Sequence, residues 1–173
     1  MNHLNLAHLI WEAHLQSGDG VIDATCGNGH DAAFLATLDP GQLICMDVQK
    51  EAIEATQSQA PRAQCILGCH HRLPECPNLK LIVYNLGYLP RGDKSITTQL
   101  ETSRQSIRQA LDMVLVGGMV SITFYPGHKE GLRELETLLP ELMQLDSKSF
   151  SLSHHKWPTR HRSPELVIIL KLR

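Results

Sequence analysis

The stretch Asp23-Ala24-Thr25-Cys26-Gly27-Asn28-Gly29 gathers a carboxylate, two polar side chains and two glycines between an apolar run and a helical pattern. It reads as a passage from strand through turn to helix. Glycine permits positive φ and removes the Cβ that would hold a ligand off the backbone. The turn aims free helix N-terminal amides at whatever lies above it. Asp47 closes the next apolar run, twenty residues after Gly27. An acid there can accept both ribose hydroxyls of an adenosine. The pattern Gly27-x-Gly29-x-x-Ala32 also fits a loose dinucleotide fingerprint, so the glycines alone do not separate S-adenosylmethionine (SAM) from NAD. Asp23 tilts the choice to SAM. Placed on the strand, its carboxylate would crowd a pyrophosphate but can pair, directly or through water, with the ammonium of a methionine moiety.

Asn85-Leu86-Gly87-Tyr88 closes a later apolar run and offers acceptor chemistry. The Asn85 amide oxygen and the Leu86 carbonyl can accept from an amine and aim its lone pair at a methyl donor. Tyr88 offers a flat face for stacking a base, and Gly87 and Pro90 shape the loop. The stretch is a looser relative of the Asn/Asp-Pro-Pro-Tyr signature of amino-group methyltransferases, with Leu86-Gly87 in place of the prolines. Methyl transfer from a sulfonium needs in-line alignment and a free lone pair. An alkyl amine is largely protonated at neutral pH, so a proton must leave; Asp93 or His128 is the expected relay. No metal is required.

The elements that must hold these residues alternate. Helical periodicity covers His3 to Leu15, His30 to Leu38, Glu51 to Gln59, Thr97 to Leu115 and Lys129 to Leu145. Strand-like runs are Val21 to Thr25, Leu43 to Asp47, Gln64 to Leu67, Leu79 to Tyr84, Met119 to Phe124, Phe150 to Ser153 and Leu166 to Leu170. Alternation argues for βαβ units and a mostly parallel sheet, an α/β fold. The last two strands follow one another without a helix, so one should enter antiparallel. A ligand in such a sheet lies outside the carboxyl ends of the strands, near the switch in strand order. That places it at Asp23–Gly29, Asp47 and Asn85.

A chain of 173 residues with no repeat or linker reads as one domain, residues 1–173. Its 42% hydrophobic and 20% charged content is that of a soluble protein, with no apolar run long enough to span a membrane and no secretory start. The cytoplasm is the expected compartment. The five cysteines read as reduced thiols. Cys65, Cys69, His70, His71 and Cys76 are zinc-ligand types at a spacing that is not a recognised pair of pairs, so no metal is expected. A formal charge of −2 gives no general pull on nucleic acid, so an RNA substrate needs a local basic patch. His154-His155-Lys156-Trp157-Pro158-Thr159-Arg160-His161-Arg162 is the dense basic run; Lys156, Arg160 and Arg162 are candidates for phosphates and Trp157 for a base.

The chain resembles the small SAM-dependent methyltransferases long filed as rRNA methylases, the YtqB/MnmM type. The matching stretches are Asp23 to Asp31, Asn85-Leu86-Gly87-Tyr88-Leu89-Pro90-Arg91-Gly92-Asp93-Lys94-Ser95-Ile96, Gly117-Gly118 and Tyr125-Pro126-Gly127-His128. The resemblance implies a Rossmann-like class I methyltransferase: a seven-stranded, mostly parallel sheet, helices on both faces, and one antiparallel strand near the C-terminus. It implies methylation of the 5-aminomethyl group of (2-thio)uridine at the tRNA wobble position, giving the 5-methylaminomethyl form, with the tRNA anticodon region as partner. Asp23, Gly27, Asn28, Gly29, Asp47 and Asn85 would hold SAM or sit beside its methyl, with Thr25, Asp31, Gln49 and His70 completing the cofactor set. Tyr88, Asp93, Lys94 and His128 would face the substrate, with Leu86 and Gly87 beside them; Arg160 of the basic run joins the substrate set as a phosphate contact. Three positions depart from the family: Gly68 for a polar or acidic adenine contact, His71 for a glutamate, and Arg91 for a glycine. Competing readings are a methyltransferase for rRNA or a small-molecule amine, a nicotinamide oxidoreductase, and a non-catalytic SAM-binding module. A homodimer is compatible with the sequence, which does not fix the oligomeric state.

Overall fold

The computed structural model describes residues 2–87, 97–160 and 162–173. The chain runs α1 (His3–His14), β1 (Gly20–Asp23), α2 (His30–Thr37), β2 (Gln42–Asp47), α3 (Lys50–Gln59), β3 (Gln64–Leu67), β4 (Leu79–Leu86), α4 (Leu100–Met113), β5 (Met119–Phe124), α5 (Lys129–Leu142), β6 (Phe150–His155) and β7 (Glu165–Lys171). All twelve elements were expected, with shifted ends. The long helix begins at Leu100 rather than Thr97, and β4 extends two residues past Tyr84 to Leu86. That extension places Asn85 on the strand itself, facing Thr123 of β5.

The seven strands order as β3-β2-β1-β4-β5-β7-β6. Strands β1 to β5 pair in parallel, while β7 runs antiparallel to both β5 and β6. The single reversed strand is therefore β7, inserted between β5 and β6 by the hairpin that joins β6 to β7. Strand order reverses between β1 and β4, and the carboxyl ends of β1, β2 and β4 meet there, as the switch-point rule requires.

Strand side chains alternate between two apolar clusters, one on each face of the sheet. Ile22, Ile44, Ile82, Tyr84, Val120 and Ile122 meet Ile107, Ala110 and Leu111 of α4 and Leu135 and Leu138 of α5. Val21, Leu43, Cys45, Leu81 and Val83 meet Ala7 and Trp11 of α1 and Ala32 and Leu35 of α2. Strands buried on both faces read as continuous apolar runs, which is why they were visible in the sequence. Cys26 and Cys45 are buried free thiols, and Cys65, Cys69 and Cys76 are half-buried and free. Among the described residues no group of His, Cys, Asp or Glu is placed to hold a metal ion, and no helix is long and apolar enough to cross a membrane.

Candidate active site

The loop after β1 is stitched to the strands on either side of it. Ala24 N–H donates to the Val83 carbonyl (2.9 Å) and Cys26 N–H to the Met46 carbonyl (2.9 Å). Gly27 N–H donates to Asp47 Oδ2 (3.0 Å), while Asp47 Oδ1 accepts from Gln49 N–H (2.9 Å). Gly27 has φ +51° and Gly29, which caps α2, has φ +79°. Thr25 Oγ1 accepts from Asn85 N–H at 2.6 Å, tying the loop to the end of β4. Burial pushes the Asp47 carboxyl above its ordinary range, and backbone N–H groups of Gln49, Gly27 and Val48 pull it back.

A cavity of about 720 Å³ opens above these strand ends, within the usual size of a ligand site. Of the residues singled out from the sequence, Thr25, Gly27, Asn28, Asp31, Asp47, Gln49, His70, Asn85, Gly87 and His128 line it. Gly29 sits behind the wall, where its work is to turn the chain.

Asp23 does not line the cavity. It is fully buried beneath Ala24 and Thr25; Oδ1 accepts from Thr25 N–H (3.2 Å) and Oδ2 has no partner. Burial, reinforced by Asp31 and Asp47, raises its pKa well above the carboxylate range. Its carboxylate is therefore covered by protein rather than open to the cavity.

Asn85 is held at both ends of its carboxamide. Nδ2 donates to Asp31 Oδ2 (2.9 Å), and Oδ1 accepts from the Tyr125 hydroxyl (3.2 Å). Asp31 Oδ1 meets His8 Nε2 of α1 at 2.7 Å, and Tyr125 Oη lies 3.3 Å from His3 Nε2. Burial lowers the pKa of His3, against the opposing charge of Asp31. Burial also raises the Tyr125 phenol, helped by Asp31, so it stays a neutral donor. Leu4 of α1 completes this side of the cavity wall. The sequence reading missed His3, Leu4, His8 and Tyr125. Periodicity marked α1 as a packing helix, and nothing local shows that its histidines reach Asp31 of α2 and Tyr125 after β5, the two partners of Asn85. Tyr125 stood in a recognised stretch without a role.

His128 caps α5: its Nδ1 accepts from Gly131 N–H at 3.2 Å. His70 is buried and its Nε2 has no partner; burial, with a smaller push from His71, lowers its pKa to about 4, so the ring is neutral. It stands edge-on to Tyr84, 5.9 Å between ring centroids.

Leu86 is fully buried in the core rather than on the wall. Tyr88, Asp93 and Lys94 lie outside the described residues. In the basic loop, Lys156 pairs with Glu165 (3.3 Å), and Trp157 packs with the α1 and α2 cluster and edge-on to His3. Arg160 is exposed and away from the cavity, whereas Arg162 lines it. Arg162 is thus the arginine of the basic run on the cavity wall, and Trp157 is half-buried against the α1 and α2 cluster.

A doubly wound sheet with a positive-φ bend after β1, an acid ending β2 and an anchored asparagine ending β4 defines a class I SAM-dependent methyltransferase. A family model described as "Putative rRNA methylase" matches residues 43–171. A crystal structure from Clostridium thermocellum described in the same words is 34% identical, with a TM-score of 0.93 over 99% of this chain and 98% of that one. A Streptococcus mutans protein described as "a putative methyltransferase", in complex with SAH, is 29% identical, TM-score 0.89, covering 99% of each chain. The chloroplastic tRNA (mnm5s2U34)-methyltransferase of Arabidopsis thaliana is 37% identical over 186 residues, which cover 96% of this chain and 68% of that protein. The chain belongs to this rRNA methylase family.

Proposed function

We propose that this enzyme methylates the 5-aminomethyl group of uridine or 2-thiouridine at the wobble position of tRNA. The observation that carries the reading is Asn85. Its carboxamide is turned so that Nδ2 faces Asp31, and its oxygen, which has two lone pairs, gives only one to Tyr125. The second can accept from an N–H of an acceptor amine. The 37% identity to a tRNA (mnm5s2U34)-methyltransferase supports the same acceptor.

The residues present fit the cofactor. Asp47 keeps lone pairs for ribose hydroxyls, the Gly27–Gly29 bend leaves the backbone open, and the unpartnered, fully buried Asp23 Oδ2 is suited to a water that bridges to the ammonium of the methionine moiety. His70 Nε2 is a second unpartnered polar atom, suited to the adenine end together with Gly68, which also lines the cavity. SAM supplies an activated methyl group, and this chain supplies position. Asn85 orients the amine, and Thr25 couples that post to the cofactor bend. Arg162, exposed at the cavity, replaces Arg160 as the candidate for the phosphate of the nucleotide being modified. Asp93, Lys94 and Tyr88 belong to the same reading as substrate contacts.

Asp23, Asp47 and Asn85 rise from β1, β2 and β4 of one sheet, which supports taking residues 1–173 as one methyltransferase domain. The cytoplasm is the proposed place of action, and a homodimer the proposed assembly. Incubation with tRNA bearing the primary amine, followed by nucleoside mass spectrometry, should show 5-methylaminomethyl uridine formed only with SAM. Methylation confined to rRNA or to a free amine would reject the tRNA assignment.

A further inference from the structure

We infer that α1 is a working part of the active site: His8 acting through Asp31, and His3 through Tyr125, lock the Asn85 carboxamide with its oxygen toward the acceptor. The lock makes the site selective for acceptors that present an N–H. This inference rests on the amine acceptor proposed above.

The geometry leaves one orientation of Asn85 satisfied. A carboxylate only accepts, so the group facing Asp31 Oδ2 at 2.9 Å must be the Asn85 NH2. Turning the carboxamide over would set two acceptor oxygens against each other at that distance. His8 keeps Asp31 in this arrangement by occupying Oδ1 at 2.7 Å, which leaves Oδ2 for Asn85. The His8 ring is itself fixed, stacked on Phe34 of α2 at 4.0 Å and 6° between planes and flanked by Trp11 at 5.2 Å. From the other side His3 meets the Tyr125 hydroxyl, both by hydrogen bond and edge-on at 5.5 Å.

His3 and His8 are five positions apart in α1, so they leave the helix in different directions, one reaching the end of β5 and one the start of α2. The other charged or titratable groups that feel Asp31 are Asp23 from β1, His3 and Tyr125. None of them approaches Asp31 with a hydrogen bond that would replace the one from His8. His8 does not touch the reacting atoms, so its role is positioning.

Three variants of the full chain separate the hydrogen bond from packing. His8→Phe keeps a ring on Phe34 but cannot donate; His8→Gln gives up the ring and can still donate to Asp31; Asp31→Asn ends the acceptor-only contact. Calorimetry with SAH should find the His8 variants within about threefold of the parent. His8→Phe should lower kcat about ten- to a hundredfold with KM for tRNA nearly unchanged, and His8→Gln should recover most of it. Independently of activity, the Asn85 side-chain NH2 should exchange with solvent at least about tenfold faster in His8→Phe than in the parent, as read by NMR. A parent that leaves the amine of tRNA unmethylated would sink the proposed substrate, and the exchange experiment would still judge the lock. Unchanged exchange in His8→Phe, or a His8→Gln as slow as His8→Phe, would overturn it.

Discussion

Gly29 lies so close to α3 that a Cβ added to it would sit 2.7 Å from Thr56 Cα. Its φ of +79° is strained for any other residue, and Thr56 Oγ1 reaches back to the Gly27 carbonyl at 3.2 Å. Gly29→Ala therefore meets both a backbone penalty of about 1–2 kcal/mol and a displaced helix. Calorimetry should show Tm lowered by several degrees and SAH affinity lowered about tenfold or more; an unchanged Tm would contradict the packing described.

Asn85→Ala removes the acceptor but neither acid of the cofactor pocket. SAH affinity should stay within a few-fold, while kcat falls by about a hundredfold or more. Collapse of SAH binding with turnover retained would mean that Asn85 serves the cofactor instead.

Asp47→Ala should do the opposite. It removes a charged acceptor of ribose hydroxyls and strands the Gly27 and Gln49 amides that Asp47 now satisfies. Charged hydrogen bonds contribute about 1.5–3 kcal/mol, so isothermal titration should report SAH binding about ten- to a hundredfold weaker. Affinity equal to the parent would remove Asp47 from the pocket.

His70 sets an acid limit on stability. Its folded pKa is lowered to about 4 from 6.5, so below 6.5 the unfolded chain takes up a proton that the native ring refuses. Stability from this group is complete above pH 6.5 and falls as the pH drops toward 4, by up to about 3 kcal/mol. His70→Gln should flatten the decline of Tm across that window; the same slope in both proteins would refute the assignment.

Arg162 should govern RNA and not the cofactor. Arg162→Ala should raise KM for tRNA and reduce the salt dependence of binding by about one phosphate contact, whereas Arg160→Ala should change little. Equal effects from both would return the interface to the whole loop.

Much of this molecule was legible from the sequence because its strands are buried on both faces and its turns use Gly and Pro. Runs such as Leu79–Val83 and Met119–Phe124 have few other readings, and the Gly27–Gly29 bend with Asp47 twenty residues on is a local pattern. Side-chain direction was not legible. Asp23 stands on the expected strand yet is fully buried off the cavity wall, and Leu86 faces the core because β4 runs two residues longer than its apolar run suggested. The contacts of His8 and Tyr125 with the Asn85 network cross 23 and 40 residues of chain, which no periodicity encodes. In the basic run, charge was visible, but the pairing of Lys156 with Glu165 was not.

The stitching of the loop after β1 to both flanking strands has a kinetic meaning. Donor pocket and acceptor post are joined through Thr25 and Asn85 over 2.6 Å, so they form one stiff piece before either ligand arrives. The entropy of bringing the two halves into line is lost once, when the chain folds, and not again at each turnover.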